Sequence, residues 1–532
     1  MSNANRLFSD EVETPASTTY NIVPYPNHCY RETHPDRLAA IATLFGMGAP
    51  DVRHCRVLEI GCGDGSNIIP MAVGLPDSEF VGIDVASMPL ENARALIRRV
   101  SLKNVRVEQK DIMEVNHAFG SFDYIIAHGF YSWVPARVSA KLLEVCGTNL
   151  AENGIAFISY NTYPGAYVRV ASRDLMRFHN RTTMATAHVD SGKQILKLFA
   201  DSLSGDGFWK SILSSEFDRL SKRPENSVWH DELSQSGYAP VYFADLIHSA
   251  AAYGLQFLGE AMLIDNFGDS ETNISSELDT FTKGDFISHQ QYLDFLNFRS
   301  FRRSLLCRAH VPLDRDGPSR RLSTLYLASH LRLSSETKEE VAFAYDRGSG
   351  SIKTNNPLTV AALKRLEAQW PAGERFDALV QSAAIESNQE LSDDASATLA
   401  EHFLRMAAHS LVDVRTYNMP VPSSDRPVSS IVARVQARSG SRISSMLHTE
   451  IEMTDPGARN LLQLLDGTRD RSDLATVLAR QYQNLSRQQL LEQIDVLLSG
   501  FARNGLLTEG FGAPNISGVT ESVREPSKDF EA

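Results

Sequence analysis

Three glycines follow a short apolar strand near the start of the chain. The strand is predicted from Val57 to Ile60, and Gly61, Gly63 and Gly65 come directly after it. Because glycine has no Cβ and readily adopts positive φ, such a loop brings backbone amides close to a ligand. A dinucleotide-binding loop reads Gly-x-Gly-x-x-Gly, whereas Ser66 holds the last position here. The spacing predicts a nucleotide-like cofactor other than NAD; a tight strand-to-helix turn without a ligand is the alternative.

Acidic side chains end the next two predicted strands. The apolar run Phe80 to Ile83 leads into Asp84, 23 residues after Gly61, close to the offset of about 20 at which a ribose-binding acid is expected. We expect Asp84 to accept hydrogen bonds from both ribose hydroxyls. Asp111 is predicted to bind an adenine amino group while Ile112 packs on the ring, and a helix cap is the alternative for Asp111. The glycine spacing and these acidic strand ends together favour S-adenosylmethionine over NAD as the cofactor.

Two aromatic loops, His128 to Pro135 and Tyr160 to Gly165, follow the fourth and fifth predicted strands. In methyl transfer, an in-line displacement, the protein positions a nucleophile and excludes water, and an amine must be neutral when it attacks. Rings of both loops are predicted to cage an amine through cation–π attraction, and His128 is predicted to relay the proton. Core packing is the alternative for each ring, and a structural role is the alternative for His128.

The predicted site contains two groups of residues. The cofactor-binding residues are Glu59, Gly61, Cys62, Gly63, Gly65, Asn67, Asp84, Val85, Asp111, Ile112 and His128. The catalytic residues are His128, Tyr131, Trp133, Tyr160, Asn161 and Tyr163. No metal site is expected, because Trp229-His-Asp-Glu232 lacks the i, i+4 ligand repeat of helical metal sites and is interpreted as the surface of an insertion.

The elements that position these residues alternate between strand and helix. A helix is predicted from Pro35, with Thr33 as its cap. Strands are predicted near residues 56–60, 79–83, 105–108, 122–127 and 154–160, a pattern typical of a parallel sheet with crossover helices. Ligands bind outside the carboxyl ends of such strands. Segments 255–263 and 301–308 are predicted to complete the sheet.

The predicted fold class is α/β, a Rossmann-like catalytic sheet with helical insertions, followed by two further domains. The catalytic domain is predicted over residues 20–310, with insertions at 180–235 and 265–298 that cover the site or mediate dimerisation. An α+β middle domain is predicted over 312–420 and a winged-helix-like C-terminal domain over 431–510. Residues 1–19 and 511–532 are predicted to be flexible tails.

Composition narrows the classes of partner and compartment. The chain has 52 basic and 65 acidic residues, a net charge of −13, which disfavours nucleic-acid substrates. Its five cysteines form no Cys-x-x-Cys pair, so reduced thiols and a cytoplasmic location are expected. The N-terminus does not read as a signal peptide, and no segment approaches the roughly 20 apolar residues of a membrane span.

Several motifs together resemble the bacterial methyltransferases that carry a methyltransferase regulatory domain. They are Tyr25-Pro26, Thr33-His-Pro-Asp-Arg-Leu38, the glycine loop, Phe122 to Gly129, Tyr131-Ser-Trp-Val-Pro135, Ser159 to Gly165, Tyr242-Phe243, Gly254 to Ala261 and Leu461 to Arg471. Rickettsial protein lysine methyltransferases of this family modify outer-membrane surface proteins as homodimers. The resemblance implies S-adenosylmethionine as cofactor, a lysine ε-amine of a protein or peptide, such as a surface protein, as acceptor, and a homodimer. This chain departs from the pattern at Gly165-Ala-Tyr167, where many relatives have Gly-Trp-His, which bears on the acceptor.

Three functions are compatible with the sequence. The first is N-methylation of lysine side chains of a protein, and the second is methylation of a small natural product. The third is a non-catalytic scaffold with a methyltransferase fold. Intact acids and glycines at every predicted cofactor position count against the scaffold.

Overall fold

The computed structural model describes residues 16–182, 189–205, 207–234, 237–268, 274–337, 339–345, 350–419 and 425–509. The predicted tail 511–532 and residues 420–424, where the predicted middle domain ends, lie outside these ranges. The predicted tail 1–19 lies outside them except for its last residues, which begin a helix at Ala16.

A seven-stranded sheet forms the catalytic part of the molecule in the order β3-β2-β1-β4-β5-β7-β6. Its strands are β1 (Arg56–Ile60), β2 (Glu79–Asp84), β3 (Val105–Gln109), β4 (Phe122–Ala127), β5 (Leu150–Asn161), β6 (Leu255–Glu260) and β7 (Phe301–Arg308). Strands β1 to β5 pair in parallel, and β7 runs antiparallel to β5 and β6. All seven predicted strands are present, although β5 begins earlier than predicted.

Helices cover both faces of the sheet. They are α1 (Ala16–Ile22), α2 (Pro35–Leu44), α3 (Ile68–Gly74), α4 (Ser87–Val100), α5 (Ala136–Asn149), α6 (Ala166–Thr182), α7 (Val189–Ser202), α8 (Phe208–Ser221), α9 (Glu225–Val228), α10 (Phe243–Ala251), α11 (Leu263–Phe267), α12 (Ile274–Thr282) and α13 (Phe286–Asn297). A π-helix, Trp229–Ser234, follows α9. Helix α2 has Pro35 in its first turn as predicted, but its N-cap is His34, because the Thr33 hydroxyl donates to the carbonyl of Tyr30.

A second unit follows the sheet and shares its core. It contains β8 (Tyr326–Ala328), β9 (Arg332–Glu336), β10 (Val341–Ala344), β11 (Ser351–Thr354), α14 (Pro357–Gln369), β12 (Glu374–Arg375), α15 (Phe376–Ser387), α16 (Asp393–Ala408) and β13 (Asp413–Arg415). One continuous apolar cluster joins Val57 and Phe80 of the catalytic sheet to Leu327 and Phe403 of this unit. The two parts are therefore packed together through apolar side chains.

The C-terminal winged-helix domain has its own core. It contains β14 (Val428–Ser429), α17 (Ile431–Ser439), β15 (Arg442–Ser444), β16 (Glu450–Glu452), α18 (Pro456–Leu464), α19 (Arg471–Leu478), α20 (Arg487–Arg503) and β17 (Leu507–Glu509). Helix α17 and the hairpin of β15 and β16 were not predicted from the sequence. Leu461, Ile494 and Phe501 belong to a separate apolar cluster.

Candidate active site

The glycine loop joins β1 to α3 and adopts the backbone conformation predicted for it. Gly61, Gly63 and Gly65 have φ values of 75°, 52° and 74°. A Cβ at Gly61 would lie 3.1 Å from the ring of Phe130, and one at Gly65 would lie 2.7 Å from Ile69 Cδ1. A Cβ at Gly63 would collide with the amide of Asn27. Each glycine therefore allows a close approach of the chain itself.

Four amides of the loop are hydrogen bonded within the protein, and contact of the loop with a ligand stays a prediction. The N–H groups of Gly61 and Cys62 donate to the carbonyl of Ile83 at 2.9 and 3.1 Å, and that of Gly65 donates to the carbonyl of Cys62. The N–H of Gly63 donates to Asp84 Oδ2 at 3.0 Å. These hydrogen bonds fix the shape of the loop against β2.

Two carboxyl groups, those of the buried Glu59 and the half-buried Asp84, lie at the carboxyl ends of β1 and β2. Asp84 Oδ1 accepts from the N–H of Ala86 at 2.8 Å, and burial raises its pKa against the backbone hydrogen bonds that it accepts. Glu59 is 4% exposed, and its Oε2 is buried without a hydrogen-bond partner. Burial raises the pKa of Glu59 to about 8, opposed by the hydrogen bond from Asn67. Neither carboxyl group is paired with a basic side chain among the described residues, and Glu59 Oε2 has no donor. A cationic ligand with hydroxyl groups would supply both.

The remaining predicted cofactor residues play more local roles. Asp111 is exposed and caps a short 3₁₀ helix by accepting from the N–H of Met113, so the cap interpretation is confirmed. Ile112 is buried in the apolar cluster on one face of the sheet. Cys62 packs over Gly82 of β2, and the carbonyl of Val85 accepts from the side chain of Gln109. Adenine binding by Asp111 and Ile112 stays a prediction.

Asn67 is buried and hydrogen bonded to protein at both ends of its amide, and direct cofactor binding by this side chain stays a prediction. Its Nδ2 donates to Glu59 Oε1 at 2.7 Å and to Thr33 Oγ1 at 3.0 Å. Its Oδ1 accepts from the N–H of Tyr30 at 2.9 Å. Asn67 positions Glu59 behind the glycine loop.

His128 lies at the carboxyl end of β4, next to the glycine loop. Its Nδ1 is 3.3 Å from Ser159 Oγ, which accepts from the N–H of Gly129 at 2.7 Å. Burial lowers the pKa of His128 to about 4. With this low pKa, the imidazole of His128 is neutral near pH 7. A general base needs a pKa near the working pH, so His128 is better suited to positioning than to accepting the proton of an amine.

The four predicted cage rings do not meet as one cage. Tyr131 and Tyr160 are buried and contact each other edge to face, with ring centroids 6.1 Å apart. The hydroxyl of Tyr160 is hydrogen bonded to Ser304 Oγ at 2.9 Å. The ring of Trp133 carries the guanidinium of Arg169, 4.8 Å from its centroid. Core packing is thus confirmed for Tyr131 and Tyr160, and the cation–π partner of Trp133 is internal.

Tyr163 belongs to an aromatic cluster that reaches the surface. Its ring lies 4.3 Å from that of Tyr167 and 5.2 Å from that of Tyr242, centroid to centroid. Tyr242 also contacts Phe295 of α13. Tyr167 is 52% exposed and Phe295 is 50% exposed. We call Tyr163, Tyr167, Tyr242 and Phe295 the surface aromatic cluster.

An arginine network lies behind the aromatic loops. Glu232 is fully buried and pairs with Arg169 at 2.8 Å and with Arg219 at 3.2 Å. These arginines keep the pKa of Glu232 well below its usual range despite its burial. Asn161 Oδ1 accepts from Arg169 Nη1 at 3.4 Å. The interpretation of Trp229 to Glu232 as an insertion surface is therefore wrong; its acids neutralise arginines of α6 and α8.

Three families match successive parts of the chain. Residues 51–201 match the family described as "Methyltransferase domain", residues 224–308 match "Predicted methyltransferase regulatory domain", and residues 425–486 match "PKMT, C-terminal winged helix domain".

Relatives of known sequence or structure cover more of the chain. The uncharacterised protein RP028 of Rickettsia prowazekii is 35% identical over 235 residues, 44% of this chain and 93% of that protein. The uncharacterised protein RP789 of the same organism is 35% identical over 300 residues, and the match spans only 54% of its length. PKMT2 from Rickettsia typhi in complex with AdoHcy superposes with a TM-score of 0.81 at 26% identity, covering 91% of this chain and 100% of that one.

The chain belongs to the bacterial S-adenosylmethionine-dependent methyltransferases with a methyltransferase regulatory domain. For a methyltransferase of this family, Glu59 and Asp84 are the residues that fit the cofactor. An unpartnered oxygen of Glu59 and two carboxylates with raised pKa values suit a ligand that carries ammonium and ribose hydroxyl groups. When bound, S-adenosylmethionine supplies the activated methyl group.

Residues that sequence reasoning missed lie over the cofactor loop of this methyltransferase. Asn27 donates from Nδ2 to Asp64 Oδ1 at 3.0 Å, Phe130 packs on Gly61, and the ring of Tyr30 lies on His128. Asn27 and Tyr30 lie far from the predicted strand ends, so the strand-end pattern gave no signal for them. Phe130 lies in the predicted aromatic loop after β4 but was not among the predicted site residues. Within the described ranges, no cluster of His, Cys, Asp and Glu could hold a metal ion, and no helix is long and apolar enough to cross a membrane.

Proposed function

We propose that the protein transfers methyl groups from S-adenosylmethionine to lysine ε-amines of a protein substrate. The observation that carries this proposal is the extent of the likeness to PKMT2, which includes the C-terminal winged-helix domain as well as the catalytic sheet. A methyltransferase domain alone would leave the acceptor class open.

The surface aromatic cluster supports a peptide acceptor. Exposed rings beside the loop after β5 offer apolar and π faces that suit both the aliphatic stem and the ammonium of a lysine. Tyr167 and Tyr242 also bring their hydroxyls within 3.3 Å of each other at this surface. Because His128 is neutral and a weak base, the proton of the amine would leave to water before attack.

The acceptor is tested by following label from S-adenosylmethionine in a host lysate. Wild-type protein and the Asp84→Ala variant are each incubated with methyl-labelled cofactor, and proteins are separated from small molecules. We expect wild-type-dependent label on lysine residues, located by mass spectrometry of peptides. Label confined to small molecules would overturn the lysine assignment in favour of a natural product. No label in either fraction, with cofactor binding intact by calorimetry, would favour a scaffold.

A homodimer is part of the proposal. Leu198 of α7 and Phe208 and Trp209 of α8 are exposed apolar side chains, which is unusual for a surface without a partner. Light scattering coupled to size-exclusion chromatography should give twice the chain mass. A Phe208→Glu variant should shift the equilibrium towards the monomer, whereas Ile385→Glu, which alters an exposed apolar residue of α15, should not.

We also propose that the three units are domains with boundaries near residues 20–310, 312–420 and 431–510, in a cytoplasmic protein. The separate apolar cluster of the C-terminal domain supports the last boundary. Limited proteolysis should cut first near residues 420–430.

A further inference from the structure

The hairpin of β15 and β16 in the C-terminal domain reaches the cofactor loop. Its turn carries His448, which is 2% exposed and whose Nε2 lies 2.8 Å from Asn67 Oδ1. His448 has a φ of 55°, a left-handed conformation that is uncommon for a residue other than glycine. The turn therefore holds this side chain in a specific position 381 residues along the chain from its partner.

The hydrogen bonds around Asn67 define which atom donates. The N–H of Tyr30 can only donate, so the atom of Asn67 that faces it is the oxygen. That oxygen also faces His448, so His448 Nε2 carries a hydrogen and donates. The other end of the amide then donates to Glu59 Oε1. A directed chain of hydrogen bonds runs from His448 through Asn67 to Glu59.

Asn67 makes these hydrogen bonds in place of the N-cap hydrogen bond expected at its position. It occupies the N-cap position of α3, where asparagine usually accepts from the first amides of its own helix. Here it makes no side-chain cap hydrogen bond. The side chain is committed to the link between the two domains.

The same hairpin holds the segment that covers the glycine loop. Glu450 Oε1 accepts from the N–H of Cys29 at 3.1 Å, and Glu450 Oε2 lies 2.8 Å from His28 Nδ1. This segment continues on one side to Asn27, which lies over Gly63, and on the other to Tyr30, which lies on His128. The hairpin of β15 and β16 thus contacts Asn67, which follows the cofactor loop, as well as the segment of residues 27–30 that covers this loop.

We infer that His448 is a positioning residue of the cofactor site, and that cofactor binding and docking of the C-terminal hairpin stabilise each other. His448 acts through Asn67, which holds Glu59. Coupling of two binding equilibria is reciprocal. Loss of the His448 hydrogen bond therefore weakens cofactor binding, and bound cofactor stabilises the docked hairpin against opening. This coupling involves the cofactor and does not depend on which acceptor is methylated.

The first test compares two substitutions in the full-length protein by calorimetry with S-adenosylhomocysteine. His448→Ala removes the donor, whereas His448→Gln places an amide N–H at about the position of Nε2. We expect His448→Ala to weaken binding about tenfold, as loss of a buried hydrogen bond allows, and His448→Gln to restore most of the affinity. Arg442→Ala, at an exposed position of the same hairpin, should bind like the wild type.

The second test needs no substitution. In wild-type protein, saturating S-adenosylhomocysteine should slow hydrogen exchange of amides in residues 444–452, with little change in α18 to α20. Wild-type affinity in a folded His448→Ala protein would overturn the positioning role. If that variant does not fold, unchanged exchange of 444–452 on ligand binding would overturn the coupling.

Discussion

The ring of Tyr30 lies on the imidazole of His128, with 3.7 Å between ring centroids and 44° between their planes. Tyr30 precedes α2 and His128 follows β4, so this contact joins the segment of residues 27–30, which covers the glycine loop, to the carboxyl edge of the sheet. Burial lowers the pKa of His128 and raises that of Tyr30. Both side chains are therefore neutral near pH 7 and form an uncharged wall beside the glycine loop.

The contact between Tyr30 and His128 predicts a specific pattern of rates. Aromatic contacts contribute about 0.5–1.5 kcal/mol, so Tyr30→Ala should lower kcat/KM for label incorporation by about two- to tenfold. Tyr30→Phe, which keeps the ring, should retain most of the rate. Equal losses in both variants would show that the hydroxyl is the important group.

Asp84 should govern cofactor affinity. Asp84→Ala removes a half-buried carboxylate that also accepts from the N–H of Gly63, and we expect S-adenosylhomocysteine to bind at least about tenfold more weakly. The matched control is Asp77→Ala, which alters an exposed residue just before β2 and should bind normally. Calorimetry decides, and wild-type affinity in the Asp84→Ala protein would contradict ribose binding by this residue.

Features that are set by residues close together in the sequence could be predicted. The glycines after β1 and the acid after β2 are recognisable because strand, turn and acid follow one another within a few residues. The parallel order of β1 to β5 follows from the same alternation. These residues occupy the expected edge of the sheet.

Features that depend on distant partners were not predictable. Asn67 resembles a cofactor ligand until His448 and Glu59 are seen on its two ends. Trp133 resembles a cage wall, but Arg169 of α6 occupies its face. Glu232 resembles a surface acid because the arginines that surround it come from other helices. In each case, the side chain's type was right for a site and its partner was set by tertiary packing.

Gly65 should be required for packing as well as for backbone conformation. Gly65→Ala would place a Cβ 2.7 Å from Ile69 Cδ1 and 3.3 Å from Ala93 Cβ at a φ of 74°. Gly254 has a φ of 71° with nothing within 4 Å of its Cβ position, so Gly254→Ala measures the backbone cost alone. Denaturant unfolding should show a loss about 1–3 kcal/mol larger for Gly65→Ala. Equal losses would mean that Ile69 moves aside.

Glu232 should be essential to stability because it neutralises buried arginines. Glu232→Gln removes the buried charge that Arg169 and Arg219 share and leaves them only Asp231 and Glu216 as charge partners. Removing one member of a buried ion pair costs about 3–5 kcal/mol. Glu225→Gln, at an exposed position of α9, should change the free energy of unfolding by less than about 0.5 kcal/mol. A small effect at Glu232 would indicate that the arginines reach solvent.

Cofactor binding should depend on pH through Glu59. In the free protein, burial raises the pKa of Glu59 to about 8, with Asp64 and Asp84 adding to the effect. A cationic ligand stabilises the ionised form of Glu59 over the protonated form, so the pKa of Glu59 falls when the ligand binds. The bound state then holds fewer protons near pH 7. By linkage, affinity must rise with pH up to about 8 and become constant above it.

Calorimetry in buffers of different ionisation enthalpy measures this proton directly. At about pH 7, wild-type protein should release up to about one proton per S-adenosylhomocysteine bound. Glu59→Gln keeps an acceptor for Asn67 but cannot ionise, so its affinity should be lower above about pH 8 and its proton release should disappear. Proton release that persists in Glu59→Gln would assign the titration to another group, and an affinity independent of pH in the wild type would mean that Glu59 does not face the cationic part of the cofactor.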